Sequence, residues 1–250
     1  MDEGFARLQS GRVNSPQFSF WFDDGLAGVR KYAAPILEGW GVTGATSLCS
    51  RAIDRKEFFW RFKLSYLNSI DASRHLRARL RARGYQVDRP LRALTLDKFN
   101  DEVLAIIDDL FTEAAPEIVQ QDAFRAFETP NGVLDLQKRG WVVANHSAAH
   151  YPIGEPHVIH LVLSQFEECE RYLHILTGRE TVFWVFPFGN VVQPAIDAIR
   201  ERYPAKVIVL VRNRPNRLGD VRNVLYRIDA PVSNRNRLLD VLSAVRRSPA

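Results

Sequence analysis

Short apolar runs that end in turn residues alternate along this chain with longer stretches of helical spacing. Residues 17–22 hold Phe18, Phe20, Trp21 and Phe22 and close on Asp23-Asp24-Gly25, which predicts a strand followed by a turn. Residues 28–39 then put Val29, Tyr32, Ala33, Ile36 and Leu37 on one helical face, and Val42 to Cys49 reads as a second strand. A strand–helix–strand opening predicts a parallel α/β layout. From 52 to 130 the pattern turns almost wholly helical, with helices expected over 57–70, 72–83 and 97–111. Leu94-Thr95-Leu96-Asp97 supplies the start signal for the last of these. This stretch reads as an insertion, a helical lid or subdomain, within a single domain spanning residues 1–250.

The β/α rhythm then returns. A helix ends through Leu134 to Arg139 at Gly140, and a strand over 141–144 runs into Asn145-His146. A long helix over 156–176 and a strand over 182–186 lead to Pro187-Phe188-Gly189. A helix over 191–203, strands over 206–211 and 224–228, and a helix over 235–247 complete the expectation. Three strands thus end in turns rich in reactive side chains, at 22–25, 144–150 and 186–189. In barrels of parallel strands, active residues collect at the C-terminal strand ends.

Composition narrows the picture. A chain of 250 residues that is 46% hydrophobic can bury the core of one α/β domain, and nothing in it argues for long disorder. The net charge of +5 raises the question of an anionic partner. The densest arginine run, Arg74 to Arg83, carries Leu76 and Leu80 at helical spacing and reads as a solvated helix face. No aromatic residues interleave these arginines, so a nucleic-acid stacking platform is not expected. Cys49 and Cys169 form no CxxC, which excludes a zinc ribbon and gives no sign of a disulfide framework. Met1-Asp2-Glu3-Gly4-Phe5 lacks the pattern of a signal peptide, and no apolar stretch reaches the roughly 20 residues of a membrane span. These features predict a cytoplasmic protein.

Two clusters carry candidate chemistry. His146 and His150 are four apart, so on a helical turn both imidazoles face one side and can reach one cation. With a carboxylate they make a two-His-one-carboxylate set suited to zinc or another divalent transition metal. The spacing alone also fits ordinary surface or core histidines, as His157, His160 and His174 illustrate. Asp23 and Asp24 are adjacent carboxylates at a strand end, costly unless solvated, paired or metal-bound. Alternation along a strand lets one bind metal while the other acts as a base.

The run Phe20-Trp21-Phe22-Asp23-Asp24-Gly25 resembles the first motif of the polysaccharide deacetylases, the NodB homology domain of carbohydrate esterase family 4. Gly140 through His146-Ser147-Ala148-Ala149-His150 resembles the second motif, and Phe186-Pro187-Phe188-Gly189 the third. They occur in family order, and the likeness covers about 17–50 and 130–230, leaving 52–130 outside. The resemblance implies a distorted (β/α) barrel with a mostly helical insertion. It implies removal of an acetyl group from an N-acetylated amino sugar in a polysaccharide, a glycan precursor or a small glycoside. Asp24, His146 and His150 would hold a divalent metal, zinc by default, with nickel or cobalt fitting the same ligands. Asp23 would be the general base, and the Phe188 backbone N–H would help to hold the oxyanion.

The chain departs from the family pattern in two places. An Arg usually precedes the third motif's Pro, where Val185 and Phe186 stand here, and its fourth-motif Asp partner has no match. The late His that serves as general acid is also missing, because no histidine follows His174. Asp229 lies near the expected strand end, and His157 or His160 could approach from the loop after His150. Otherwise protonated Asp23 or water must supply the proton. The alternative reading is a weak or silent metal-retaining carbohydrate-binding module of the same fold.

Overall fold

The computed structural model describes residues 10, 17–97, 99–152, 159–189, 191–212, 214–216 and 223–229. The helix expected over 235–247, the start of the helix expected from 156, and His157 lie outside the described residues. Six strands form one sheet in chain order, and every pairing is parallel. They are β1 (Trp21–Phe22), β2 (Ala45–Leu48), β3 (Val142–Asn145), β4 (Phe183–Val185), β5 (Val207–Val211) and β6 (Val224–Arg227). Parallel neighbours require crossovers, and crossovers of one hand roll a sheet up. The sheet curls into a distorted half-barrel until Arg227, the last residue of β6, reaches the Asp23 side chain just past β1.

The strand sequences show why both faces are apolar. Phe183, Val185, Val207 and Val209 share one face of β4 and β5 with Ala144 and Trp21. Trp184, Phe186, Ile208 and Leu210 point the other way, against Phe166 and Ile199 of the covering helices. Successive side chains alternate, so a strand buried on both sides needs an unbroken apolar run. β1 is shorter than the aromatic run predicts. It has β2 as its one described neighbour, and Phe18 and Phe20 are left partly in solvent.

Helices fill the connections. A π-helical stretch, Val29–Ala33, leads into α1 (Ala34–Gly39). Between β2 and β3 come α2 (Ser50–Ile53), α3 (Trp60–Ser69), α4 (Ser73–Ala82), α5 (Leu91–Asp97), α6 (Asp101–Ala114), α7 (Glu117–Ala123) and α8 (Pro130–Lys138). Then α9 (Ile159–Thr177) follows β3, and α10 (Gln193–Arg202) follows β4. Trp60, Leu67, Leu76, Leu80 and Ile107 build a core among α3, α4 and α6 that runs on to Ala149 and Tyr151. The helices between β2 and β3 therefore pack directly against the His146–His150 segment.

One helix start differs from expectation. Leu94 to Asp97 lies inside the separate α5, and α6 starts after Asn100, whose Oδ1 accepts the Val103 N–H at 2.8 Å. A side-chain cap on an orphan N–H outweighs the apolar spacing that placed the start at 97. The arginine run divides as its spacing predicts, with Leu76 and Leu80 buried while Arg79 pairs with Glu113 and Arg83 with Glu102. Arg77 is the exception. Its Nη1 turns back to donate to the carbonyls of Val87 and Arg89.

Glu170 on α9 ties the helix to β3, to β4 and to the residue that enters β5. Its carboxylate accepts from Asn145 Nδ2 (3.1 Å), Thr181 N (2.7 Å), Trp184 Nε1 (2.9 Å) and Lys206 Nζ (2.9 Å). Burial alone would raise its pKa, but the bonds from Thr181, Lys206 and Asn145 outweigh burial and hold it below the usual carboxylate range. A depressed folded pKa gives stability that is present above the unfolded value and lost as pH falls through the folded one. Breaking a buried pair from one side costs about 3 kcal/mol or more. Glu170→Ala is expected to lose about that much in urea denaturation at neutral pH, with a smaller difference from wild type in acid. An unchanged midpoint would show that Lys206 finds full compensation in Glu180 and the Thr181 carbonyl.

Candidate active site

Parallel strands deliver their C-terminal ends to one rim, and the predicted residues meet there. Asp23 and Asp24 follow β1 directly, and Asp24 takes a left-handed backbone (φ 71°). Gly25 is left-handed too, and a Cβ there would come within 3.0 Å of Leu48 and Ile53 side chains. The tight turn seats against β2 and α2 and leaves both carboxylates within 4 Å of His146 Nε2, Asp23 Oδ2 at 3.9 Å and Asp24 Oδ1 at 3.5 Å.

His146 and His150 do meet, but not on a helical turn. Residues 146–150 are irregular, with Ser147 and His150 left-handed (φ 70° and 58°). Side chains hold this loop: Asn145 Oδ1 accepts from Ser147 N (3.0 Å), Ser147 Oγ from His150 N (3.1 Å), and Gln165 Oε1 from Ala149 N (2.9 Å). These bonds replace the helical ladder and bring the ring centroids to 4.9 Å. Of the seven non-glycine residues with positive φ among those described, Asp24, Ser147, His150 and Phe188 lie in these rim turns. Backbone strain of this kind persists where surrounding structure over-determines it.

The donor atoms converge. Asp24, His146 and His150 each offer one ligand atom, and these atoms lie within 4.8 Å of one another. Asp24 Oδ1 is 3.5 Å from His146 Nε2 and 3.1 Å from His150 Nε2, yet it makes a hydrogen bond of proper geometry with neither. His146 Nδ1–H donates to the Val185 carbonyl at 2.7 Å, which fixes the tautomer that leaves Nε2 as a lone-pair donor. Burial pulls the His146 pKa down, but the charges of Asp23 and Asp24 and the Val185 carbonyl prevail and raise it. His150 goes the other way, lowered by burial and by His146. A buried carboxylate oxygen facing two imidazole nitrogens with no hydrogen bond between them fits a divalent transition metal.

Asp23 has a different set of partners. Its Oδ1 accepts from Ser47 Oγ at 2.6 Å, and its two oxygens take Nη1 and Nη2 of Arg227, each at 2.7 Å. Burial would push its pKa up, but the His146 charge, Arg227 and Ser47 bring it down to about 2. Asp23 is therefore ionised throughout the neutral range, 3.9 Å from His146 Nε2. Val185 and Phe186 are buried core residues, so the guanidinium comes from β6 instead of the strand before Pro187. Neither Arg227 nor Ser47 stands in a motif or spacing that marks it in the sequence. A strand-end position marks Arg227, since it closes the last strand at the same rim. Losing a charged hydrogen-bond pair costs about 1.5–3 kcal/mol, equivalent to about 10-fold to 100-fold in rate. Arg227→Gln is expected to slow turnover by that range and to move the acid limb of the pH–rate profile upward, because burial then acts on Asp23 with less opposition. A profile superimposable on wild type would remove Arg227 from the site's chemistry.

A cleft of about 630 Å³ opens beside these groups, with Asp24, His150 and Phe188 in its wall. Phe188 is left-handed (φ 61°), and its ring stands 4.7 Å from that of His150. Phe59 stacks on His150 at 5.1 Å. His160 is exposed on α9 and is not among the residues lining the cleft, and Asp229 is exposed two residues past Arg227. His150 is the one imidazole among the described lining residues.

No protein-family model and no curated protein matches the sequence. Solved structures do match. The chain is similar to the Streptococcus pyogenes deacetylase PplD, at 14% identity and a TM-score of 0.58 over 96% of this chain and 76% of that one. It is similar to a de-N-acetylase from Aggregatibacter actinomycetemcomitans, at 13% identity and a TM-score of 0.59 over 95% and 80% of the two chains. It is also similar to IcaB from Ammonifex degensii, at 14% identity and a TM-score of 0.57 over 96% and 78%. Identity this low speaks to architecture, and the chain has the NodB-type polysaccharide deacetylase fold.

Proposed function

We propose that the chain is a metal-dependent deacetylase that removes an acetyl group from an N-acetylated amino sugar, with residues 1–250 as one catalytic domain and 52–130 as its helical wall. The observation that carries this reading is the convergence of Asp24, His146 and His150 beside an arginine-clamped Asp23 at the rim of a cleft. The structural neighbours named as deacetylases support it.

Asp24, His146 and His150 would hold the ion, with zinc the first choice and nickel or cobalt compatible. Bound there, a divalent metal supplies Lewis acidity to a carbonyl and makes water a stronger acid. Asp23, ionised and fixed by Arg227 and Ser47, takes the proton from the attacking water. The Phe188 N–H donates to the developing oxyanion. Protonated Asp23 then returns the proton to the departing amine, which replaces the late histidine that the sequence lacks. The products are acetate and the free amino sugar.

The test is acetate release from a panel of N-acetylated sugars by wild-type and metal-stripped protein. Turnover by wild type that is lost on stripping and restored by added zinc supports the proposal. Metal held by His146 and His150 with no acetate from any substrate would replace it with the reading as a carbohydrate-binding module. No helix among the described residues is long and apolar enough to cross a membrane.

A further inference from the structure

The cleft wall away from Asp24 and His150 is strongly basic. Arg61 of α3, Arg77 of α4 and Arg92 of α5 all line it, one from each of three successive helices. Asp24 is the single carboxylate among the described lining residues, and it is a proposed metal ligand. The cleft volume of about 630 Å³ is that of a small-molecule site.

Arg61 is the innermost of the three. Its guanidinium lies over the Phe188 ring at 4.9 Å and over Trp60 at 5.5 Å, one aromatic ring away from His150. It makes no ion pair with a described carboxylate. Burial and the nearby Arg92 charge work against its protonated form and prevail over the Asp24 charge, which favours it. Arg77 is set in place by its bonds to the carbonyls of Val87 and Arg89. A half-buried guanidinium beside a like charge, such as Arg61 beside Arg92, is stabilised when an anion joins it. A neutral glycan brings no such anion. A carboxylate is satisfied by one bidentate arginine, whereas a phosphoryl group has the oxygens and charge for several.

We propose that the N-acetylated sugar taken by this cleft carries a phosphoryl group seated on Arg61, with Arg77 and Arg92 beside it, while the acetamido group faces Asp24 and His150. The acetamido end rests on the deacetylase reading, whereas the phosphoryl end rests on the arginines alone.

The test is calorimetric binding to metal-stripped full-length protein, so that neither phosphate–metal contact nor turnover enters. N-acetylglucosamine 1-phosphate is expected to bind at least about tenfold tighter than N-acetylglucosamine, with the gap closing as salt rises. Arg61→Gln should abolish that preference and Arg61→Lys should keep part of it, while Arg92→Gln, at an exposed position, gives a second variant if Arg61→Gln fails to melt cooperatively. The uridine diphosphate and short-chain polyprenyl diphosphate conjugates separate a nucleotide carrier from a lipid carrier. Whichever of the three phosphoryl ligands keeps an arginine-dependent preference supports the proposal. Equal affinity for the neutral sugar, tighter binding of N-acetylmuramic acid, or a preference untouched in both Arg61→Gln and Arg92→Gln overturns it. A preference confirmed here with no acetate released from any substrate would sink the deacetylase reading instead, and acetate from neutral sugars with no preference would sink only this proposal.

Discussion

Asp23→Asn is expected to lower acetate release by about 100-fold to 10,000-fold, the usual contribution of a positioned general base, while the metal content of the protein stays unchanged. The substitution removes the basic oxygen and little else. Asparagine has the shape of the aspartate, and Ser47 can turn its hydroxyl to accept from the new amide. Arg227, however, meets one acceptor where it now meets two. The variant also loses a pH-dependent share of stability. The Asp23 pKa lies at about 2 in the folded chain, against 3.8 for a free aspartate. Its contribution is thus complete above the unfolded value and fades as pH falls toward the folded one. Wild type and variant should therefore differ more in stability at neutral pH than near pH 3. A variant that keeps its rate within threefold would mean that another group takes the proton from water.

Stripping the metal with a chelator, or replacing a ligand in His150→Ala, is expected to cost about 1,000-fold, the rate equivalent of roughly 4 kcal/mol of charge stabilisation. The two interventions differ in reversibility. Added zinc should restore the stripped wild type, and it should leave His150→Ala inactive. Loading should also be sensitive to pH. A proton on His146 Nε2, favoured by the Asp23 and Asp24 charges that raise its pKa against burial, competes with the ion, so affinity should fall as the solution is made more acidic. Asp24, held far below the usual carboxylate range by both imidazoles against the pull of burial, adds no such dependence near neutrality. Full activity in protein shown by elemental analysis to be free of metal would end the metal-dependent reading.

The parts of this site legible in the sequence were those set by local chain pattern. Asp23 and Asp24 are announced by an aromatic strand and a glycine turn, and His146 and His150 by a strand and a short spacing. The two imidazoles come together by a route that the spacing does not reveal, because bonds from Asn145, Ser147 and Gln165 shape an irregular loop rather than a helix. The curl of the sheet could be anticipated from the repeated strand–helix order, but not how far it would go. Arg227 escaped notice for that reason. Its partner is 204 residues away, and only the curl brings the two together. Arg61 and Arg77 sit in helices whose amphipathic spacing marks them simply as polar, and their shared orientation is a product of how α3, α4 and α5 pack.

The clamp between Asp23 and Arg227 also bears on biosynthesis. In a chain leaving the ribosome, the loop that carries His146 and His150 lacks its holds at Gln165 and Val185 until β4 has emerged, and Asp23 stays unclamped until β6 follows. The proposed ligand set is thus complete before the Asp23 clamp can close. A chain broken between Val185 and Arg227 would keep the proposed ligands Asp24, His146 and His150 and lose the clamp on Asp23, so metal content alone would be a misleading measure of intact protein.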